Sequence, residues 1–468
     1  MRRSLLLSFL LVLSALSAPC VAQESLTFGR FGTVVVYRES LHPSHVALFV
    51  SGDEGWSQTV SDMARVLSSL DTLVVGIDIR HYRQELNTSP EWCSYPGGDF
   101  AALSKFVQKT LGFPAYVLPV LVGYGSGATL VYATLAQAPP DMFRGVLSLG
   151  FCPDLPLKKP LCQWYSLQWQ RGPQGRGYSL LPAPTLQAPW TVLQGASDQV
   201  CNATAVETYV KQIPQAEFLQ LPQTDDGFSQ AANWTPQLRA AFTKLLKKPE
   251  AIRAIQAEAV KDLPLVEIPV TGPGGDTLAV ILSGDGGWAS IDRELGNTLA
   301  SRGISVVGLN SLKYFWARRT PEGAAQDLER MLRYYLAAWN KDKALLIGYS
   351  LGADVLPFMA NRLSRQALSH VQLVALLGPG HRVDFEFHLT NWFWDSPTKT
   401  ARLVLPEVEK LQGTKTLCFY GEEERDTLCK DLAPSLATVI RLKGGHHFDE
   451  DYRAIADTIL QDANKMAQ

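Results

Sequence analysis

The sequence predicts an α/β protein made of two tandem units, each a mostly parallel sheet flanked by helices. Three internal matches carry this reading. Ser51-Gly52-Asp53-Glu54-Gly55-Trp56 recurs as Ser283-Gly284-Asp285-Gly286-Gly287-Trp288, each behind an apolar run. At the same offset, Val74-Val75-Gly76-Ile77-Asp78 matches Val306-Val307-Gly308-Leu309-Asn310. Further on, Leu121-Val122-Gly123-Tyr124-Gly125-Ser126-Gly127-Ala128 matches Leu346-Ile347-Gly348-Tyr349-Ser350-Leu351-Gly352-Ala353. Collinear self-similarity of this kind signals duplication.

Each element follows from local pattern. In the second copy, short β-branched apolar runs predict strands at Leu278–Ser283, Ser305–Leu309, Ala344–Gly348, Leu373–Leu377, Thr416–Tyr420 and Thr438–Leu442. Longer amphipathic stretches between them predict helices, among them Glu322–Trp339, Ala353–Leu363 and Asp451–Asn464. A chain of 468 residues suits two such domains, and 46% apolar with 19% charged residues is a globular balance. A net charge of −2 offers no bulk attraction to nucleic acid, so no nucleic-acid partner is expected.

The first residues read as a targeting segment. Arg2 and Arg3 precede an apolar run from Leu5 to Ala18, and small residues allow cleavage after Ala22. The run is shorter than the ~20 residues a bilayer span needs. Cys20 also invites lipid attachment, but Pro19 stands where such sites want a small flexible residue. The expected organisation is a signal peptide over 1–22, a first domain over 23–248, a charged linker over 249–262 and a second domain over 263–468. Six further cysteines fit an oxidising compartment. Cys418 and Cys429 flank one strand-to-loop corner and are expected to pair; Cys93, Cys152, Cys162 and Cys201 allow three pairings.

Chemistry concentrates in the second copy. Gly348-Tyr349-Ser350-Leu351-Gly352 is a G-x-S-x-G elbow between a strand and a helix, the context in which a serine hydroxyl projects above the sheet. The fold expectation therefore sharpens to two tandem α/β-hydrolase-like domains. A serine needs a base, and His446, after the Gly444-Gly445 pair and the last strand, is preferred to His447. For the orienting acid, Asp426 is preferred, because Asp198 stands three residues before Cys201 as Asp426 stands before Cys429; Glu424 is the reserve. The amides of Asp285, Gly286 and Leu351 are the expected oxyanion donors. No metal cluster or phosphate-cradling motif is visible, so no cofactor is expected.

The first copy serves as a control. Gly125 stands in place of Ser350, Ser126 is one position late, and the region of the expected histidine reads Leu221-Pro222-Gln223-Thr224-Asp225-Asp226-Gly227-Phe228. Without nucleophile or base, this domain is expected to be a degenerate hydrolase kept for binding or stability.

Substrate signals are weaker. The run from His381 to His388, then Trp392-Phe393-Trp394, lies where lids form in this fold; it would suit a lipid or acyl chain, or equally be a core strand. Lys313-Tyr314-Phe315-Trp316 is expected on the same side. Trp288 and Trp392 are candidate substrate contacts.

With the repeated S-G-D-x-G-W, the elbow running on to Asp354, the run Tyr314–Glu322 and the Gly444–Asp449 end, the chain resembles the bacterial virulence protein family VirJ/AcvB. The second domain is similar over essentially its full length, and two units behind a signal peptide look like the longer, AcvB-type members. The resemblance implies a periplasmic hydrolase that removes the amino acid from aminoacyl-phosphatidylglycerol, with some members linked to type IV secretion. It places the family's nucleophile on Ser350 and its histidine on His446. An aminoacyl ester carries an ammonium, for which Asp354, Asp384 and Glu386 are candidate partners. The alternatives are a general exported esterase, lipase or peptidase, and a non-catalytic periplasmic protein serving an envelope machine.

Overall fold

The computed structural model describes residues 24–247, 259–270, 274–387, 400–411 and 413–465. The expected signal peptide, most of the expected linker and Trp392 lie outside them.

The first unit holds strands β1 (Glu24–Phe28), β2 (Gly32–Tyr37), β3 (His45–Val50), β4 (Thr72–Ile77), β5 (Val120–Tyr124), β6 (Gly145–Leu149), β7 (Trp190–Gly195) and β8 (Ala216–Leu221). They form one sheet in the order β1-β2-β4-β3-β5-β6-β7-β8. The second unit holds β9 (Leu265–Ile268), β10 (Thr277–Leu282), β11 (Ser305–Leu309), β12 (Lys343–Tyr349), β13 (Val371–Leu377), β14 (Lys415–Gly421) and β15 (Thr438–Leu442), in the order β9-β11-β10-β12-β13-β14-β15. Without β1, the two orders are the same. In both, the first shared strand runs antiparallel and the remaining neighbours run parallel. This is the α/β-hydrolase arrangement, present twice.

Parallel strands covered on both faces read as continuous apolar runs. In β10, Leu278, Val280 and Leu282 enter one core while Ala279 and Ile281 enter the other. In β3, Val46, Leu48 and Val50 face one core, and Ala47 and Phe49 the other. The helices that bear on the sites are α1 (Gln58–Ser68), α2 (Pro96–Thr110), α3 (Ser126–Gln137), α4 (Ser290–Ser301), α5 (Pro321–Ala338), α6 (Leu351–Ala360) and α7 (Tyr452–Lys465). Helix α5 starts where the Thr320 side chain accepts the Gly323 N–H and Pro321 takes the first turn.

The repeated motifs have a packing reason. The tryptophan of each S-G-D-x-G-W lies over the glycine of the next strand. A Cβ on Gly76 would come within 2.3 Å of Trp56, and one on Gly308 within 2.0 Å of Trp288. Two of the three matches are thus one contact, built twice.

Three disulfides form: Cys93–Cys162, Cys152–Cys201 and Cys418–Cys429. Val260 and Leu263 pack in the second unit's core, so its packing reaches back into the expected linker. Among the described residues, no helix is long and apolar enough to cross a membrane.

The segment expected as a lid divides. Arg382–Val383 pairs with Arg402–Leu403, bracketing the excursion between β13 and β14. Phe385 is buried against Phe315 and Phe358, and Phe387 stacks on Trp316 with ring centroids 5.6 Å apart. These aromatics are packing residues, as are Tyr314, Phe315 and Trp316, each 2% exposed or less.

Candidate active site

Ser350 sits between β12 and α6 with φ 51° and ψ −119°, a conformation that costs a non-glycine residue energy and persists only when the surroundings impose it. Here glycines do so. A Cβ on Gly352 would lie 2.1 Å from the Leu282 carbonyl oxygen, and one on Gly348 would lie 2.4 Å from that of Gly352. The chain can therefore turn in no space at all. The Ser350 N–H donates to the Leu377 carbonyl at 2.9 Å, fixing the elbow to the end of β13.

His446 follows β15 through Gly444, whose φ of 78° makes the turn. Its ring lies over Gly378, the residue after Leu377: a Cβ there would be 2.7 Å from Cε1 of His446. It also packs on Tyr349, centroids 5.2 Å apart, and the Tyr349 hydroxyl donates to the His446 carbonyl at 3.3 Å. The imidazole is thus seated on the two neighbours of the nucleophile. The Ser350 hydroxyl and His446 are not hydrogen-bonded to each other; such contacts commonly tighten only with substrate bound. His447 instead shares a 3.2 Å hydrogen bond with the Tyr349 hydroxyl.

Nδ1 of His446 lies 2.6 Å from Oε1 of Glu424, and Oε2 of Glu424 accepts the Gly421 N–H at 2.7 Å. Asp426, the expected acid, does not reach His446. Its side chain is 88% exposed and contacts Nδ1 of His381 at 2.9 Å. The correction has a plain cause. Glu424 is the third residue after Gly421 at the end of β14, and Asp198 is the third after Gly195 at the end of β7; each donates its N–H back to that glycine, at 3.0 and 3.3 Å. Counting from the strand makes Glu424 the counterpart of Asp198. Counting from the cysteines misleads, because Cys201 pairs with Cys152 across the first unit whereas Cys429 pairs locally with Cys418.

Electrostatics follow the pairing. Burial would lower the pKa of His446, but the hydrogen bond and charge of Glu424 outweigh it and hold the imidazole above its ordinary value. Burial would raise that of Glu424, and the same hydrogen bond holds it below the usual carboxylate range. Glu424 is thus ionised, fit to stabilise an imidazolium.

The loop after β10 completes the rim. A Cβ on Gly284 would lie 3.4 Å from Cβ of Ser350, and the Gly287 N–H closes a turn on the Gly284 carbonyl at 3.1 Å. Asp285 and Gly286 form the tip of that turn, directly after Gly284, and Leu351 opens α6 directly after Ser350.

The expected substrate contacts are placed differently from one another. Trp288 is 3% exposed and packed on Gly308, so it is a core residue and not a substrate contact. Asp384 is buried at 9% exposure. Glu386 is engaged by Lys109 at 3.1 Å, which leaves its charge matched within the protein. Among the described ones, Asp354 lies by the site: Oδ1 accepts the Gly380 N–H at 2.7 Å, and burial pushes its pKa up to about 7.

The first unit keeps the elbow without its chemistry. Gly125 has φ 55° and ψ −123°, nearly the angles of Ser350, and its N–H donates to the Leu149 carbonyl at 2.9 Å. The Ser126 hydroxyl is buried without a partner. Asp198 spends its oxygens on Gln194 and the amides of Val200 and Cys201. Thr224 packs against Gly195 as Gly445 does against Gly421, and the next residue is Asp225 in place of a histidine. What remains is a cavity of about 620 Å³ above Gly125.

No curated protein matches the chain. Solved structures similar to it include the esterase domain of a Rhodothermus marinus protein (15% identity, 47% of this chain and 96% of that one, TM-score 0.33). An α/β serine hydrolase without a lid from Xanthomonas campestris (17%, 49% and 96%, TM-score 0.32) is another. A third is an α/β serine hydrolase homologue from Coxiella burnetii (16%, 48% and 97%, TM-score 0.32). The family model for the bacterial virulence protein VirJ matches residues 44–151 and 276–467, spanning both elbows and the His446 loop. With the duplicated sheet and the Ser350 rim, that match identifies the chain as a member of the VirJ family.

Proposed function

We propose that the second unit is a serine esterase that hydrolyses the aminoacyl ester of aminoacyl-phosphatidylglycerol outside the cytoplasm. The observation that carries a hydrolase is the 2.6 Å contact between His446 and Glu424, seated on the neighbours of a strained Ser350. The family match and the three disulfides support the finer reading.

The steps follow from the roles. His446 takes the Ser350 proton through Nε2 while Glu424 holds Nδ1–H, and the freed oxygen attacks the ester carbonyl. The tetrahedral oxyanion is met by backbone N–H groups of Leu351 and of the Asp285–Gly286 turn; losing one such donor typically costs about 2.7–4 kcal/mol. His446 then gives its proton to the departing lipid alcohol. Water, deprotonated by the same imidazole, releases the amino acid from Ser350. The substrate's ammonium would be met near His446 by the carboxyl groups of Asp354 and Asp285, both close enough to influence the imidazole.

Incubating anionic bilayers that contain lysyl- or alanyl-phosphatidylglycerol with the purified chain tests the reading. Free amino acid and phosphatidylglycerol are expected from the native protein and not from Ser350→Ala. Turnover of short acyl esters, with the aminoacyl lipid untouched, would leave a general esterase. An unchanged cellular phenotype with Ser350→Ala would leave a non-catalytic envelope protein.

A further inference from the structure

The two units meet along α2 of the first. Lys105 and Lys109, one helical turn apart, both reach across. Nζ of Lys109 lies 2.7 Å from the Trp316 carbonyl, and Nε1 of Trp316 donates back to the Phe113 carbonyl at 2.8 Å. Tyr116, Leu312, Trp316 and Phe387 form an apolar cluster around this exchange. Lys105 goes deeper. It is 3% exposed, with Nζ 3.4 Å from the Asp285 carbonyl and 5.7 Å from the centroid of the Phe387 ring. Burial pushes its pKa down to about 8, against the opposing influence of Asp285.

A buried ammonium is costly unless it is matched. This one spends a hydrogen bond on the tip of the turn that lines the hydrolytic rim. In a trans peptide the C=O and N–H point in opposite directions. Anchoring the Asp285 carbonyl toward the first unit therefore turns the Gly286 N–H away from it. Gly286 brings no side chain of its own, and a Cβ there would touch nothing within 4 Å, so nothing at position 286 packs to hold the peptide.

We propose that Lys105 is a positioning residue for the other unit's reaction: it fixes the Asp285–Gly286 peptide, whose N–H, that of Gly286, serves the oxyanion. This rests on the esterase reading, and it gives the degenerate unit a part in catalysis. Deleting the contact should lower kcat, which depends on transition-state charge, and spare KM.

The test uses the full chain with Lys105→Met, with Lys105→Gln as a milder change, and with Lys109→Met as a control that loosens the same interface one turn away. Amide hydrogen exchange of residues 284–288 is read alongside kcat and KM on the aminoacyl ester. Lys105→Met should speed exchange of the turn and lower kcat by roughly 10- to 100-fold, with KM within about two-fold. Lys105→Gln should shift both in the same direction by less, and decides the matter if Lys105→Met does not fold. Lys109→Met should leave both near native values. Native exchange and kcat in the Lys105 variants overturn the proposal, as does an equal loss with Lys109→Met. If the native chain shows no Ser350-dependent turnover, the esterase reading fails, and the exchange data still decide whether Lys105 holds the turn.

Discussion

Glu424 offers one carboxylate oxygen to His446 at 2.6 Å and the other to the backbone of Gly421 at 2.7 Å, so the strand end itself aims the acid at the base. Glu424→Gln should therefore lower kcat by about 10³- to 10⁴-fold, the order found when an orienting carboxylate is neutralised. Asp426→Asn should stay within about two-fold, since an exposed charge pair contributes little. Steady-state kinetics of the two variants compare the acids directly.

The same pair sets the pH profile. His446 must be neutral to accept the Ser350 proton, and its pKa is raised above the ordinary 6.5. Activity should accordingly fall as pH drops through a value above 6.5. Removing the Glu424 charge destabilises the imidazolium, so the acid limb of Glu424→Gln should move to lower pH. A plot of kcat/KM against pH reads the free enzyme's base.

The contact of tryptophan on glycine should be intolerant of one methyl group. A Cβ on Gly308 would fall 2.0 Å from Trp288. Gly308→Ala is expected to cost about 1–3 kcal/mol or more through overpacking, read as a lower urea midpoint. Gly76→Ala should behave alike in the first unit, where Trp56 stands 2.3 Å away.

The Cys418–Cys429 bridge closes a separation of 11 residues that contains Glu424. Replacing both cysteines by alanine should lose about 2–3 kcal/mol by loop entropy. It should also lower kcat, because the acid's loop is no longer tied to β14. Urea unfolding and kinetics on one sample separate the two effects.

Much of this was legible in the sequence because the motifs are themselves contacts. S-G-D-x-G-W and V-V-G are two ends of one packing interaction, and the elbow's glycines mark where backbone meets backbone. The six strands expected in the second unit begin and end within two residues of expectation, since two-sided burial leaves an unbroken apolar run, whereas the half-buried edge strand β9 was not expected. The acid was missed for a definite reason: four carboxylates share one loop, and the neighbouring cysteines suggested a register that the strand end contradicts. In the sequence Trp288 reads as a substrate contact and the aromatics of 385–387 stand between lid and core, because an apolar ring suits a site and a core equally, and only tertiary packing decides. Lys105 carried no local signal at all, since its partner lies 180 residues away in the other unit.

The most direct test of the central claim is the mass of the Ser350 peptide after treatment of the folded protein with a fluorophosphonate. One adduct on Ser350 in the native chain, lost in His446→Ala and strongly slowed in Glu424→Gln, is the expected result. Labelling elsewhere, or at the native rate in His446→Ala, would contradict an imidazole-activated serine at this rim.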